Sequence, residues 1–216
     1  MMASILRLWC RRLVSYPVQY PLRFGVVVSC GKTGFADYIA QMKVEQRSQL
    51  DYRRSAVFLA WGALYLGGVQ YFIYVHLFSR ILFPSAASFV AKPLTARMAD
   101  RAGQAIVLQQ VALDQFVHHP FMLFPCFYCV KEFIEQGTIR ASLLTVALKK
   151  WRANFWEDCQ VCWSTWIPAF LVNFSFCPIW ARIPFVATVS MGFTVYFSYL
   201  RGDKQALKAT QSKDVP

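Results

Sequence analysis

The sequence predicts an all-α fold, a polytopic membrane helix bundle of about four transmembrane helices with shorter amphipathic helices. Hydrophobic residues make up 56% of the chain and charged residues only 16%, whereas soluble domains usually carry about a quarter charged residues. Residues 55–79 contain no Asp, Glu, Lys or Arg. This segment is long enough for a transmembrane helix, which needs about 20 consecutive, predominantly apolar residues. Apolar side chains occupy all sides of this segment, which is typical of a helix in a bilayer or a large core.

The remaining apolar runs predict the other spans. Residues 102–130 form the second clear one. Two runs near the C-terminus are either two spans or one span preceded by an amphipathic helix. A run near the N-terminus is weaker, because Lys32 and Asp37 interrupt it. These three runs cover residues 159–181, 183–200 and 24–42.

Single charged residues inside the apolar runs are the candidate functional residues. Arg182 is the one formal charge between Cys159 and Leu200, and Asp114 is the one between Ala102 and Val130. A charge in hydrocarbon costs several kcal/mol unless it meets a partner or water. We therefore expect both side chains to face the inside of the bundle, where they line an aqueous path or form a structural Asp114–Arg182 ion pair.

Two polar pairs have the spacing of one helical turn. Asp37 and Gln41 lie four residues apart and so share a helix face. His118 follows Asp114 by the same interval, so the two could hydrogen-bond and hold a proton near neutral pH. The structural alternative is a satisfied intramembrane histidine ahead of Pro120.

The net charge of +12 is spread in small groups between the apolar runs. Basic flanks of this kind attract anionic lipid headgroups, whereas a nucleic-acid binder gathers its Lys and Arg on one face. We therefore expect no nucleic-acid partner. The N-terminal segment is Arg-rich and has no acidic residue before Asp37, which is typical of a mitochondrial import signal, although basic flanking of a first span explains it equally well.

Metal and enzyme motifs are weak or missing. Cys126 and Cys129 form one CxxC pair, and Cys159 and Cys162 form another. Structural zinc sites use such pairs, but these lie in or beside apolar runs where cysteine acts as a small hydrophobe. The sequence contains no GxSxG or HExxH motif. We expect no metal, no cofactor and no enzymatic activity.

The order of landmarks along residues 20–200 resembles that of the Mpv-seventeen and peroxisomal-membrane-protein-twenty-two family, small four-span proteins of mitochondrial inner and peroxisomal membranes. The landmarks are Asp37-x-x-x-Gln41, Asp51 with Arg53–Arg54, Gly62 and Gly67 before Tyr74, Asp114-Gln115-x4-Pro120, Trp163-x-x-Trp166, Asn173-Phe174, Pro178, Arg182 and Tyr199-Leu200. The chain departs from the family where a Trp-Pro pair is Trp166-Ile167, and where a lysine ahead of the Asp-Gln pair is Gln110.

The resemblance implies a weakly selective pore or carrier for small solutes that serves metabolite homeostasis in an organelle. A mitochondrial inner membrane is favoured over a peroxisomal one. The alternative is a non-conducting membrane scaffold that stabilises partner proteins. The expected partners are the lipid bilayer and small solutes or ions, with further copies of the same chain left open.

Three sets of side chains are assigned roles in this membrane bundle. Small residues allow close helix approach, and prolines kink or end spans. The polar residues expected to line the path or lock the bundle are Asp37, Gln41, Asp114, Gln115, Asn173 and Arg182. The helix-packing residues are Gly62, Gly67, Gly68, Pro120 and Pro178, and the interfacial residues are Trp163 and Trp166.

The predicted organisation is one membrane domain over residues 1–216. It comprises a basic N-terminal segment at residues 1–20, the helix bundle at residues 20–200 and a polar tail at residues 201–216. Basic residues are distributed almost evenly among the loops. The positive-inside rule needs an imbalance, so the sequence does not predict the orientation.

Overall fold

The structure is a computed structural model that describes residues 15–192, and every secondary-structure element in that range is a helix. The predicted all-α class is therefore confirmed for these residues. In chain order the elements are a helical stretch at residues 15–19, α1 (Pro21–Ile39) with a π-helical turn (Ala40–Val44), α2 (Tyr52–Trp61) with π-helical continuations (Gly62–Val69 and Phe72–Leu82), α3 (Ala86–Ala91), α4 (Leu94–Ala99), α5 (Arg101–Leu113) with a π-helical continuation (Asp114–Leu123), α6 (Phe124–Gln136), α7 (Leu143–Phe176), a 3₁₀ turn (Ile179–Ala181) and α8 (residues 182–192).

Several predictions fall on residues that the structure does not describe. These are most of the basic N-terminal segment, the Tyr199-Leu200 landmark, the end of the predicted span at residues 183–200 and the polar tail at residues 201–216.

The predicted span at residues 55–79 lies within a continuous helix, Tyr52–Leu82. This helix has 31 residues, and within residues 15–192 it is the one helix long and apolar enough to cross a membrane. Ile179–Gly192 is a shorter apolar helix. The predicted span at residues 102–130 lies in the helical stretch formed by α5, its continuation and α6. The four-span bundle stays a prediction.

The described residues divide into two compact units, and the single membrane domain stays a prediction. The first unit contains residues 15–69 together with 183–192, and the second contains residues 70–182. The boundary falls inside the long helix, between Val69 and Gln70.

Within the first unit, α2 and its continuation pack closely on α1 through two of the predicted glycines. A Cβ atom on Gly62 would lie 2.7 Å from the carbonyl oxygen of Ser29, and one on Gly67 would lie 2.6 Å from the Cα atom of Val26. These separations leave no room for a larger side chain. Gly68 faces elsewhere, because a Cβ there would meet its nearest neighbouring atom at 3.5 Å, an ordinary contact.

Within the second unit, aromatic rings from the long helix and α7 form the core. Tyr74 and Phe174 are fully buried and Phe170 is 1% exposed. The ring centroid of Tyr74 lies 5.4 Å from that of Phe170 and 5.7 Å from that of Phe174, both edge to face. Edge-to-face pairs stabilise a core beyond the area they bury. This aromatic core surrounds the polar groups described below.

An ionic cluster joins α6 to α7 outside the predicted spans. The Lys150 ammonium donates to carboxylate oxygens of Glu132 and Glu135, each at 2.6 Å. The hydrogen bonds from Lys150 and from Gln136 hold the pKa of Glu132 below its ordinary value. The bonds to Glu132 and Glu135 raise the pKa of Lys150 to about 12.

We expect this cluster to make stability depend on pH in the acid range. The depressed pKa of Glu132 means that its contribution is present above the unfolded carboxyl pKa of about 4.3 and is lost as pH falls through the lower folded value. The contribution of Lys150 is complete below the unfolded lysine pKa of about 10.4 and is lost only as pH rises through about 12. The midpoint temperature of thermal unfolding should therefore be higher for wild type than for Lys150→Met at neutral pH. This difference in midpoint should shrink below about pH 4.

The control for this experiment is Lys149→Met, which removes a neighbouring exposed lysine and should leave the midpoint close to that of wild type at every pH. A difference between wild type and Lys150→Met that stays constant from neutral to acid pH would contradict the assignment.

Candidate functional site

The first unit carries a polar cluster around Asp37 and Gln41, which the sequence singles out. Asp37 is buried, and its carboxylate accepts hydrogen bonds from Gln41 Nε2 at 2.7 Å and from Ser55 Oγ at 2.6 Å. Arg54 Nε forms an ion pair with the same carboxylate at 2.9 Å. Because Asp37 and Gln41 belong to α1 and its π-helical turn, and Ser55 and Arg54 to α2, this cluster locks the two helices together.

Sequence reasoning named Arg54 only as a landmark and as the basic flank of a span. Its ion-pair partners are Asp37, 17 residues away, and Glu45, 9 residues away, and neither separation has helical periodicity. The sequence signal that locates Arg54 is the nearby helix cap. Asp51 accepts a hydrogen bond from the backbone N–H of Arg54 at 3.0 Å and caps α2, which places Arg54 in the first turn of α2.

The second unit carries a cluster on the π-helical continuation of α5, called here the Asp114 cluster and formed by Asp114, Gln115, His118 and His119. Asp114 is fully buried, and both histidines are 3% exposed. His118 Nδ1 lies 2.8 Å from Asp114 Oδ1, and His119 Nδ1 lies 3.1 Å from Oδ2. Gln115 Nε2 donates to Oδ2 at 2.8 Å. The structure thus brings Asp114 and His118 together, as their spacing predicts, and adds His119.

Pro120 explains how α7 is held against this segment. In a π-helix each backbone N–H bonds the carbonyl five residues earlier, and Pro120 has no N–H, so the carbonyl of Gln115 lacks its helical donor. Trp163 Nε1 supplies a hydrogen bond to that carbonyl at 2.9 Å. Trp166 lies near the same segment, its ring centroid 6.4 Å from that of His119. Both tryptophans, predicted at the membrane interface, are half-buried against the Asp114 cluster.

A second polar group in this unit, the Arg182 cluster, comprises Arg182, Asn173, Ser79 and Tyr74. Arg182 is fully buried, and its Nη1 donates to Ser79 Oγ at 2.6 Å and to the Tyr74 carbonyl at 3.2 Å. Asn173 Nδ2 donates to the Arg182 carbonyl at 3.0 Å. The guanidinium carbon lies 5.1 Å from the centre of the Phe174 ring.

The Asp114–Arg182 ion pair offered by the sequence does not form. Among residues 15–192, the ion-pair partners of Asp114 are His118 and His119, and no carboxylate lies within ion-pair distance of Arg182. Asp114 accepts hydrogen bonds from side chains of its own helical segment. Arg182 is directed elsewhere because Pro178, with extended backbone, ends α7 and begins the turn that carries the arginine.

Several deeply buried polar atoms in this unit have no hydrogen-bond partner among the described residues. They are Nε and Nη2 of Arg182, Oδ1 of Asn173, both amide atoms of Gln110 and Oε1 of Gln70. Each of these side chains is at most 2% exposed. An unpaired buried polar atom costs about 1–3 kcal/mol, and in folded proteins such positions commonly hold an ordered water.

Gln110 was not among the predicted site residues, although a signal for it existed. It precedes Asp114 by four residues on a helix, so the two side chains share one face. A fully buried amide on the face that carries the buried carboxylate extends the polar surface by one turn.

Tyr74 connects the two clusters of the second unit. Its ring lies edge to face with the His118 imidazole, with centroids 5.9 Å apart, while its carbonyl accepts the hydrogen bond from Arg182. The candidate site is therefore a buried polar band that runs from Gln110 and the Asp114 cluster past Tyr74 to the Arg182 cluster.

The four cysteines of the CxxC pairs are free thiols. Cys126 is exposed, Cys129 is half-buried, and Cys159 and Cys162 are buried. Within the part of the chain that the structure describes, the group of side chains that could hold a metal ion is Asp114, His118 and His119.

Comparison with known proteins gives a consistent set of matches. The family model described as Mpv17 / PMP22 family matches residues 138–198. Protein SYM1 of Debaryomyces hansenii is 25% identical over 197 residues, which cover 90% of this chain and 89% of the relative. Protein sym-1 of Neurospora crassa is 24% identical over 184 residues, covering 84% of this chain and 92% of the relative. Protein SYM1 of Candida albicans is 28% identical over 93 residues, which cover 43% of this chain and 46% of the relative. No solved structure matches the chain.

Proposed function

We propose that the chain is a member of the Mpv17/PMP22 family, whose model matches residues 138–198, and that it forms a weakly selective path for small solutes across an organelle membrane. The observation that carries the proposal is a set of polar atoms on Gln110, Asn173 and Arg182 that have no hydrogen-bond partner within residues 15–192, all fully buried in the second unit. Inside a bilayer, polar atoms are tolerated where they pair or line a watery cavity. The absence of a partner in the described part of the chain supports contact with water or a hydrophilic solute.

The proposed activity is transport, without a catalytic step. The polar band offers both signs of charge, since the Asp114 carboxylate lies at one end and the Arg182 guanidinium at the other. Fixed charges along a pore set ion selectivity. A band of mixed charge favours weak selectivity, because neither cations nor anions meet a site of one sign throughout.

We test the proposal by reconstituting the purified full-length protein into planar bilayers and into solute-loaded liposomes. Wild type should conduct in potassium chloride and release small neutral and anionic solutes. Asp114→Asn should shift the reversal potential in a salt gradient towards anions, because it removes the fixed negative charge. The control is Glu157→Gln, which removes an exposed carboxylate on α7 and should leave the reversal potential unchanged.

The alternative function, a non-conducting scaffold, is favoured by a specific observation. The buried carboxylates of Asp37 and Asp114 have several hydrogen-bond partners each from side chains of their own unit. Such satisfied charges can serve to hold helices together. Folded wild-type protein that gives neither conductance nor solute release would overturn the pore and leave the scaffold.

For the location we propose a mitochondrial inner membrane, on the basis of the Arg-rich N-terminal segment without acidic residues. A C-terminal tag, organelle fractionation and protease protection test this and also give the orientation. Recovery of the tagged protein in peroxisomes would overturn the mitochondrial assignment without affecting the proposed transport.

A further inference from the structure

The Asp114 cluster has a donor arrangement that goes beyond the single fixed charge which the proposed transport assigns to Asp114. Asp114, His118 and His119 each offer one ligand atom, and these atoms all lie within 4.8 Å of one another. The arrangement follows from the π-helical backbone at Asp114–Leu123. Because its hydrogen bonds join residues five apart, side chains four and five positions after Asp114 both lie over the carboxylate.

The charge balance of this cluster calls for a cation. The Asp114 carboxylate is fully buried, and no lysine or arginine of the described residues lies within ion-pair distance of it. A buried carboxylate is strongly unfavourable unless a positive charge accompanies it. Among the described residues, the two imidazoles are the groups placed to supply one, either by carrying a proton or by holding a metal ion with the carboxylate.

The geometry points to a metal: we propose that Asp114, His118 and His119 bind a divalent first-row transition metal ion of the zinc class. Two imidazole nitrogens and one carboxylate oxygen are a common donor set for such ions. Calcium and magnesium prefer oxygen ligands alone, so the two histidines select against them.

The present distances are close to those that coordination needs. Zinc binds nitrogen and carboxylate oxygen at about 2.0–2.2 Å, which places neighbouring donors of a tetrahedral site about 3.3 Å apart. The histidine Nδ1 atoms lie 2.8 Å and 3.1 Å from the Asp114 oxygens. These two contacts would open by about half an ångström or less, and the more widely separated donors, up to 4.8 Å apart, would close towards the same spacing.

Cys162 lies beside the cluster but outside the group of three donors. Cys162 is buried on α7, and its thiol donates to Gln115 Oε1 with 3.7 Å between sulfur and oxygen. The other end of the same amide donates to Asp114. The Gln115 side chain thus lies between the carboxylate and the thiol, with its Oε1 directed towards Cys162. The proposed site therefore has three protein donors and leaves the fourth position to water.

The test uses full-length protein in detergent, purified without a polyhistidine tag and freed of metal with a chelator. Zn²⁺ is titrated in competition with a chromophoric chelator, and Co²⁺ is titrated while its visible absorption is recorded. We expect saturable binding of one ion per chain, with the intense visible bands of four-coordinate Co²⁺. His118→Gln and His119→Gln should each weaken Zn²⁺ binding at least tenfold.

The matched control is His76→Gln. The chain contains three histidines, so His76 is the one outside the cluster, and its ring lies 3.5 Å from an Arg80 nitrogen. This variant should bind Zn²⁺ as tightly as wild type. Circular dichroism and gel filtration establish that each variant is folded before titration.

Two results would overturn the metal site. One is the absence of saturable Zn²⁺ or Co²⁺ binding by folded wild type, which does not depend on any variant. The other is unchanged affinity in the folded His118→Gln and His119→Gln variants. Neither measurement involves conductance, so the metal site and the proposed transport can fail separately.

Discussion

Replacing Arg182 with alanine is expected to lower the free energy of unfolding by about 3 kcal/mol, the largest single effect in the second unit. The side chain is fully buried, and the substitution removes two charge-assisted hydrogen bonds, to Ser79 Oγ and the Tyr74 carbonyl. It also opens a cavity against the Phe174 ring. The midpoint of thermal unfolding in detergent should fall, together with the yield of folded protein.

A second variant separates packing from charge. Arg182→Met keeps most of the volume and removes the buried cation, whose desolvation is itself unfavourable. It should therefore be clearly more stable than Arg182→Ala. The exposed Arg152 on α7 provides the control, since Arg152→Ala should change the midpoint little. An Arg182→Ala midpoint equal to that of wild type would refute the role assigned to this side chain.

The same pair of variants bears on function. If Arg182→Met is as stable as wild type but loses solute release, the guanidinium is present for transport at a cost in stability. If Arg182→Met retains both the stability and the solute release of wild type, the cation contributes to neither stability nor transport. Measuring release per folded molecule keeps the two effects apart.

Substitution of Gly67 by alanine is expected to lower the free energy of unfolding by about 2 kcal/mol. The added Cβ would lie 2.6 Å from the Cα atom of Val26. That neighbour is backbone and cannot rotate away, so the two helices must separate. Thermal unfolding of the purified protein measures the effect.

The adjacent residue is the natural control. A Cβ on Gly68 would meet its nearest neighbouring atom at 3.5 Å, so Gly68→Ala should be neutral or slightly stabilising, because alanine favours a helix over glycine by about 1 kcal/mol. Equal midpoints for Gly67→Ala and Gly68→Ala would show that the close approach of the two helices does not depend on Gly67.

Gly67 and Gly68 show what the sequence does not predict about glycine in a helix contact. A run of small residues predicts that helices can approach closely somewhere along it, and Gly62 and Gly67 do lie at the contact. Which of two consecutive glycines faces the neighbour depends on the rotation of the helix about its axis. A π-helical backbone changes that rotation, and composition does not reveal it.

The buried charges show a similar division. Arg182 and Asp114 stand out in the sequence because each is the one charge in a long apolar run, and both are fully buried in the structure. Their pairing was not predictable from that pattern. The sequence offered an Asp114–Arg182 ion pair and, from spacing, an Asp114–His118 hydrogen bond. The structure contains the second but not the first, adds His119 to the carboxylate, and gives Arg182 a hydroxyl and a carbonyl.

The sequence by itself determined the helical class, the long apolar helix around residues 55–79 and the inward placement of Asp114 and Arg182. These features depend on composition and on residues within one helical turn of each other, so the order of residues along the chain is enough to predict them. The tertiary structure alone decided that Trp163 bonds the carbonyl left free by Pro120, that Arg54 pairs with Asp37, and that His119 joins the carboxylate. Each of these contacts requires a particular helix rotation or a meeting of distant segments, and both are set by the packing of whole helices.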